Sequence, residues 1–92
     1  MHIVIVGAGA AGCFAAIALK RKCPWAEVTL LERGIRPLAK VAITGGGRCN
    51  LTNNCDNETI MKNIPRNARF LYSALSQFSA ADTMELFESL GV

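Results

Sequence analysis

Metal ligands and long apolar runs are what this sequence most clearly lacks. It has one histidine, His2, and its four cysteines include no pair at CxxC spacing, so no metal site is predicted. No apolar run approaches the roughly 20 residues that a membrane-spanning helix requires. Neither a zinc site nor a membrane span is therefore expected.

The sequence also lacks a large excess of charge of either sign. Ten Lys and Arg stand against seven Asp and Glu, which gives a net charge of +3. The one basic run, Lys20-Arg21-Lys22, contains no aromatic residue, so nucleic-acid binding is not predicted. With 51% apolar and 18% charged residues, the chain has the composition of a folded protein rather than a disordered one.

The N-terminus lacks the basic segment that opens a secretory signal peptide. Its apolar run begins at Ile3 and is soon interrupted by glycines, which is not the pattern of a signal. A chain without such a signal is expected in the cytoplasm, where thiols remain reduced. We therefore predict a cytoplasmic protein with free thiols and no disulfide framework.

The first third of the sequence predicts a βαβ unit. Residues 2–6 form a continuous apolar run rich in Val and Ile, which is typical of a parallel strand buried on both faces. Residues 10–22 are rich in Ala and Leu and end in three cations before Pro24, as a helix does. Residues 27–32 predict a second strand. The predicted fold class is α/β, with a parallel sheet and a right-handed crossover.

Helices are predicted toward the end of the chain. Asn67 is the predicted N-cap of a helix over residues 68–78, where apolar residues recur at helical spacing. Ser79 and Asp82 have capping-box spacing and predict the start of a final helix that ends at Gly91.

The predicted strands are too few for a complete parallel sheet. Only residues 40–44 add a short extended piece, and glycine- and asparagine-rich sequence follows to about Asn57. A parallel sheet normally has several strands and both faces covered. We therefore expect residues 1–92 to be the N-terminal portion of a Rossmann-type domain, whose sheet is completed by the remainder of a longer protein.

A glycine-rich turn connects the first predicted strand and helix. Residues 7–12, Gly-Ala-Gly-Ala-Ala-Gly, match the pattern GxGxxG. In a dinucleotide-binding βαβ unit, Gly7 would allow the tight turn, Gly9 would let a pyrophosphate approach the backbone, and Gly12 would let helix and strand pack closely. Free N–H groups at the start of the helix would then face the phosphates.

An acidic residue completes this pattern. Glu32 follows Gly12 by 20 residues, at the end of the second predicted strand, where a carboxylate accepts hydrogen bonds from ribose hydroxyls. Its charge disfavours a ribose 2′-phosphate and so favours FAD or NAD, although Arg33 and Arg36 reduce that repulsion and leave NADP open. The alternative is that Glu32 merely ends a strand and the glycines merely make turns.

A second glycine-rich segment spans residues 44–53, Thr-Gly-Gly-Gly-Arg-Cys-Asn-Leu-Thr-Asn. Three successive glycines cost chain entropy unless the backbone must pass close to something. With Arg48, Asn50 and Thr52 as polar groups, the segment suits a polar cofactor, but a flexible surface loop has the same composition. Chemistry alone leaves both interpretations open.

Taken together, these stretches resemble one family. Residues 7–12, Leu31-Glu32-Arg33 and residues 40–53 resemble the N-terminus of the BaiN/YhiN-like flavoproteins, also called the aminoacetone-oxidase family of FAD-binding enzymes. Residues 86–92 are similar too, so the resemblance covers essentially the whole chain, and GGGRCNLTN over residues 45–53 is its most specific part. It implies a Rossmann-type FAD-binding domain that is discontinuous in sequence, with a separate inserted domain.

The resemblance also implies roles for individual residues. The groups assigned to the pyrophosphate are Gly7, Gly9, Ala10, Ala11 and Gly12. Glu32, with Arg33 beside it, is assigned to the ribose. The groups assigned to the flavin side are Lys40, Gly47, Arg48, Cys49, Asn50 and Thr52. Many members have Gly-Arg-Lys where this chain has Leu38-Ala39-Lys40, so no contact is carried over for the first two of these residues.

The function implied is that of a flavin-dependent oxidoreductase whose FAD is reduced by NAD(P)H and whose substrate is an unidentified small molecule. Cys49 lacks a partner at CxxC spacing, which favours a packing or cofactor contact over disulfide reduction.

Two alternative functions stay open. One is a segment of an NAD-dependent dehydrogenase, which would have no use for the second glycine segment. The other is a non-catalytic fragment that self-associates through exposed apolar helix faces. The 92 residues alone are expected to lack turnover.

Overall fold

The computed structural model describes all 92 residues and divides the chain into two compact units, Met1–Asn50 and Leu51–Val92. The elements of the first unit are β1 (His2–Val6), α1 (Ala10–Lys22), β2 (Glu27–Leu31), α2 (Ala39–Ile43) and a 3-10 turn (Thr44–Gly47). The elements of the second unit are α3 (Asn57–Lys62), a 3-10 turn (Ala68–Leu71), α4 (Tyr72–Gln77) and α5 (Ala80–Ser89). The α/β class is confirmed.

The two strands of the first unit form a parallel sheet. β1 pairs with β2 from His2 opposite Glu27 to Val6 opposite Leu31, with α1 between them in sequence, which confirms the βαβ unit. Exposure alternates along β1, because Ile3 and Ile5 are half-buried while Val6 is 84% exposed. Side chains alternate between the two faces of a strand, so β1 is covered mainly on one face.

The end of α1 is tied to the start of β2. The Cys23 N–H donates to the Leu19 carbonyl at 2.7 Å, which closes the last turn of the helix. The Lys20 ammonium donates to the carbonyl oxygens of Pro24 and Ala26 at 2.8 and 2.7 Å. Ala26 is only 1% exposed. The cationic end of α1 therefore also connects the helix to the chain that enters β2.

The extended piece predicted for residues 40–44 is wrong. Most of that segment is the short helix α2, which ends at Ile43, and Thr44 has extended backbone with ψ of 146°. The Ala42 N–H donates to the Leu38 carbonyl at 3.0 Å. The β-branched residues suggested a strand, but the segment does not join the two-stranded sheet, and local helical hydrogen bonds satisfy its backbone instead.

α3 begins where the glycine- and asparagine-rich sequence ends, and it was not predicted. Asp56 is its N-cap, and its side chain accepts a hydrogen bond from the Thr59 N–H at 2.7 Å. The hydrogen bonds from Thr59 lower the pKa of Asp56. An Asp before a first-turn Glu58 is a helix-start signal, and the surrounding asparagines hid it.

The helix predicted over residues 68–78 is broken. Residues 68–71 form a 3-10 turn, and α4 begins only at Tyr72. Asn67 lies in the left-handed region with φ of 56°, and its side chain makes no capping hydrogen bond. The residue at an N-cap normally has extended backbone, so the predicted cap is wrong for a conformational reason.

The start of α5 confirms the predicted capping box. The Ser79 hydroxyl accepts from the Asp82 N–H at 3.1 Å, and the Asp82 carboxylate accepts from the Ser79 N–H at 2.8 Å. The Ser79 N–H bond also lowers the pKa of Asp82. Gly91 follows the helix with φ of 87°, as a C-terminal stop requires.

None of the helices combines the length and the apolar composition that a membrane span needs. All four cysteines are free thiols.

Candidate functional site

The turn between β1 and α1 depends on two glycines for different reasons. Gly7 has φ of 101°, a backbone conformation that side chains disfavour, and its N–H donates to the Leu31 carbonyl at 2.7 Å. A Cβ at Gly12 would overlap the carbonyl oxygen of Gly7 and touch the Ile5 side chain. The first glycine therefore permits the turn, and the last one lets the helix lie against the strand.

The start of α1 presents backbone donors without partners. Gly9 is the N-cap residue, with no side-chain cap, and no acidic residue lies in the first turn. The N–H groups of Gly9, Ala10, Ala11 and Gly12 donate no hydrogen bond within the chain. A Cβ at Gly9 would meet no atom within 4 Å. The positive end of a 13-residue helix is thus open to an approaching anion.

Glu32 lies directly beside this turn. One carboxylate oxygen accepts from the Ala8 N–H at 3.0 Å, and the other accepts from the Gly34 N–H at 2.7 Å. These bonds, that of Gly34 first and that of Ala8 second, lower the pKa of Glu32, because they stabilise the ionised form. Glu32 is therefore a carboxylate at neutral pH, exposed to solvent next to the free helix start.

A cavity of about 610 Å³ opens at this point. Gly9 and Ala10 contribute to its lining, and so do Glu32, Arg36 and Lys40. The cavity thus combines backbone donors, one anionic group and two cationic side chains. Backbone N–H groups and cations suit a phosphate, and a carboxylate suits a hydroxyl donor.

The structure brings some of the predicted site residues together and leaves others apart. Gly9, Ala10, Glu32 and Lys40 line the same cavity. The predicted residues of the first 33 positions that are not part of its wall are Gly7, Ala11, Gly12 and Arg33. The residues that lie outside the wall, in the exposed segment after α2, are Gly47, Arg48, Cys49 and Asn50. Thr52 belongs to the second unit and is exposed.

The second glycine segment has an unusual backbone. Gly45, Gly46 and Gly47 have φ of 60°, 64° and 90°, and Cys49 has φ of 59°. The Arg48 N–H donates to the Gly45 carbonyl at 3.2 Å, and the Cys49 N–H donates to the Thr44 carbonyl at 3.0 Å. The left-handed turn itself therefore favours glycine at these three positions, and the side chains of Arg48 and Cys49 are left exposed.

Ala8 and Leu38 contribute to the site and were not found from the sequence. Ala8 is 3% exposed, and its carbonyl accepts from the Leu38 N–H at 2.8 Å. Leu38 lies in the left-handed region with φ of 57°. An alanine inside a glycine motif and a leucine after a proline carry no signal for such contacts, because both act through backbone atoms.

The sequence also matches a known protein family. The family described as HI0933-like protein Rossmann domain matches residues 1–92. The chain belongs to this family. The Rossmann-type fold and the resemblance to BaiN/YhiN-like flavoproteins are thereby confirmed.

The chain is similar to curated members of known activity. It is 39% identical over 91 residues to the 3-dehydro-bile acid delta(4,6)-reductase of Clostridium scindens. The aligned residues are 99% of this chain and 22% of that protein. It is 36% identical over 89 residues to the ribosomal RNA dihydrouridine synthase of Escherichia coli, with 97% and 21% covered. The synthase of the same name from Haemophilus influenzae is 34% identical. The chain spans about a fifth of the length of these relatives.

Proposed function

We propose that the chain is the FAD-binding N-terminal segment of a flavin-dependent oxidoreductase. The observation that carries this proposal is one cavity in which unpartnered N–H groups at the start of α1 lie beside the ionised Glu32. When bound, FAD would supply the hydride chemistry, while the protein binds and orients it. The relatives named as a reductase and as a dihydrouridine synthase support the oxidoreductase class.

The donors of the cavity fit the ADP half of FAD. The N–H groups of Gly9, Ala10 and Ala11 would bind the pyrophosphate, because they are free and lie at the positive end of α1. Arg36 and Lys40, which line the same cavity, add attraction for phosphate oxygens. Space at Gly9, where a Cβ would meet nothing within 4 Å, would let the phosphates reach the backbone.

Glu32 retains acceptor capacity for a ribose. A carboxylate has about four lone-pair sites, and two of them take the N–H groups of Ala8 and Gly34. The others are free for hydroxyl donors. A 2′-phosphate would meet the negative charge of Glu32, although Arg36 in the same wall offsets part of it. We therefore propose FAD ahead of NADP at this site.

The flavin half is proposed to lie along the second glycine segment. Support comes from the resemblance over residues 40–53 and from the exposed side chains of Arg48, Cys49, Asn50 and Thr52. Lys40 already lines the cavity and is proposed to reach from the phosphates toward the flavin, with Gly47 beside it in the turn. We assign no catalytic residue within the chain.

We also propose that turnover requires a longer protein. The relatives are about five times as long as the part they share with this chain, and residues for substrate binding and for NAD(P)H would come from elsewhere in such a protein. The substrate is proposed to be a small molecule. The free thiols suit a reducing cytoplasm.

The proposal is tested by expressing the 92-residue chain and the complete reading frame that encodes it. We expect the product of the complete frame to be yellow and to oxidise NADH or NADPH, and the 92-residue chain to bind FAD and ADP without turnover. Calorimetric titration with FAD, ADP, NAD and NADP ranks the ligands. Protein that is colourless and binds neither FAD nor ADP contradicts the proposal, and NAD that outcompetes FAD indicates a dehydrogenase instead.

We further propose that the 92-residue chain self-associates when expressed alone. Val6 on the sheet is 84% exposed and Phe70 in the second unit is 85% exposed, and exposed apolar clusters promote association. Sedimentation at rising concentration should show an increasing mean mass. A monodisperse monomer over the whole concentration range contradicts this proposal without affecting the cofactor assignment.

A further inference from the structure

We propose that residues 32–38, here called the support segment, aim the N–H of Gly9 at the bound phosphate by holding the neighbouring peptide group. This inference rests on the proposed function, because it concerns how the same cavity binds a dinucleotide. It assigns a positioning role to Leu38, a residue that no motif marks.

Ala8 is held on both sides by the support segment. Its N–H donates to a Glu32 carboxylate oxygen at 3.0 Å, and its carbonyl accepts from the Leu38 N–H at 2.8 Å. The Cys13 thiol also lies 3.5 Å from that carbonyl. Ala8 is 3% exposed, so these partners satisfy its backbone away from water.

The hydrogen bond from Leu38 sets the direction of the next N–H group. The carbonyl of Ala8 and the N–H of Gly9 belong to one peptide group, and the chain contains no cis peptide bond. In a trans peptide these two groups lie in one plane and point in opposite directions. Because Leu38 binds the carbonyl, the Gly9 N–H points away from the support segment and has no partner.

Leu38 adopts an unfavourable backbone conformation to make this bond. Its φ of 57° is disfavoured for any residue with a Cβ. Its carbonyl accepts from the Ala42 N–H at 3.0 Å, so the same residue also starts α2. Strained residues of this kind persist where surrounding contacts require them and are frequent at ligand sites.

Glu32 and Leu38 differ in a way that isolates the positioning role. The Glu32 carboxylate is itself proposed to bind the ribose, so a variant at Glu32 would remove two functions together. Leu38 is proposed to act only through its backbone N–H. The decisive change is therefore the removal of that single N–H group.

The experiment replaces Leu38 with its α-hydroxy acid by stop-codon suppression, which exchanges the amide for an ester. The matched control is the same exchange at Ala39, whose N–H donates no hydrogen bond; it also weakens the Leu38 carbonyl, so it is the harsher change for α2. We expect the ester at Leu38 to weaken ADP binding about tenfold, the usual order for one lost hydrogen bond. The ester at Ala39 should leave the dissociation constant within about twofold of the parent.

Two side-chain variants separate the N–H from the leucine side chain. Both variants trim a side chain that lines the cavity, but they keep the N–H, and Leu38→Gly also removes the conformational penalty. Each should therefore lose less ADP affinity than the ester at Leu38, and Leu38→Gly should lose the least. A loss with Leu38→Ala as large as that with the ester would place the effect in the side chain and overturn the inference.

Amide hydrogen exchange without ligand gives a readout that does not depend on binding. We expect the N–H of Leu38 and of Ala8 to exchange more slowly than those of Ala39 and Gly9. Equal exchange at Leu38 and Ala39 overturns the inference. If the parent binds neither ADP nor FAD, the proposed function fails while this readout still decides the support. If the parent binds and the two esters bind equally, the support fails and the function stands.

Discussion

The two glycine-rich segments of the first unit are alike in composition and different in what holds them. In residues 7–12, the backbone of Ala8 is hydrogen-bonded to Glu32 and Leu38, which lie 24 and 30 positions further along the chain. In residues 44–50, the backbone bonds from Arg48 to Gly45 and from Cys49 to Thr44 stay within the turn itself. The first segment is thus shaped by the fold around it, and the second is shaped by its own left-handed residues.

This difference separates two uses of glycine. Gly12 is needed because a neighbouring atom occupies the space of a Cβ, whereas Gly46 has φ of 64° and open space around it. Crowding involves the packing of α1 on β1, while a left-handed φ costs only local conformational energy. Substitutions in the two segments should therefore have unequal effects on stability and on binding.

The largest effect is expected for Gly12→Ala. The new methyl group would overlap the Gly7 carbonyl, so α1 must move away from the strand, which typically costs about 1–3 kcal/mol. We expect a loss of about 3 kcal/mol in the free energy of unfolding, measured by urea titration, and loss of FAD binding. The control Gly46→Ala should cost only about 1 kcal/mol. Equal losses from the two variants would remove the distinction between the segments.

Gly9→Ala should separate binding from stability. Gly9 has φ of −80°, and a methyl group added there would meet no atom within 4 Å, so the unfolding free energy should change by less than about 1 kcal/mol. The methyl group would occupy the proposed phosphate approach, and ADP affinity should fall at least about tenfold. Calorimetry and urea titration of the same sample check both parts. Unchanged ADP affinity would show that the phosphates do not approach here.

Glu32→Gln tests the contact between the first segment and the support segment through its pH dependence. The pKa of Glu32 is lowered in the folded chain by the N–H groups of Gly34 and Ala8. The stabilisation is therefore present above the pKa of an unfolded glutamate and is lost as the pH falls through the lowered folded pKa.

The parent should thus exceed Glu32→Gln in stability at neutral pH, and the gap should close in acid. Urea titrations at neutral and acidic pH measure it, with Glu85→Gln on α5 as the control at an exposed site. A gap that does not depend on pH would mean that the ionised carboxylate does not stabilise the fold. Glu32→Gln should also weaken ADP binding, because a neutral amide oxygen accepts ribose hydroxyls less strongly.

Arg48→Ala is expected to give the smallest effect and the most selective one. Arg48 is exposed and lies outside the cavity wall at the start of α1, so ADP affinity should stay within about twofold. If the second segment lies beside the flavin, FAD affinity should fall about three- to tenfold. Parallel titrations with ADP and FAD distinguish the two halves of the cofactor. An equal loss for both ligands would place Arg48 at the phosphates instead.

Features carried by short-range pattern could be predicted from the sequence. The alternation of apolar strand, glycine motif, helix and second strand predicted β1, α1 and β2 correctly, and the capping box at Ser79 and Asp82 is present as expected. The position of Glu32 beside the glycine turn follows from the same pattern, because the carboxyl ends of parallel neighbours meet at one edge of the sheet.

The errors occur where backbone conformation or a distant contact decides. Residues 40–44 have strand-like composition, but they do not pair with either free edge of the two-stranded sheet, and residues 40–43 belong to α2 instead. Asn67 has the residue type of a cap but lies in the left-handed region. The bond between Leu38 and Ala8 joins backbone atoms, so no side-chain pattern records it. Predicting it requires the packed arrangement of β1, β2 and the support segment.

Binding of the pyrophosphate at the start of α1 is tested most directly by ¹⁵N NMR. The measurement follows individual backbone amides in the 92-residue chain during titration with ADP. We expect the N–H signals of Gly9, Ala10 and Ala11 to shift and to become protected from exchange, while those of Gly45 to Gly47 stay unchanged. This result would place the pyrophosphate at the unpartnered start of α1. Signals of Gly9 to Ala11 that do not respond at saturating ADP would contradict pyrophosphate binding at the start of α1.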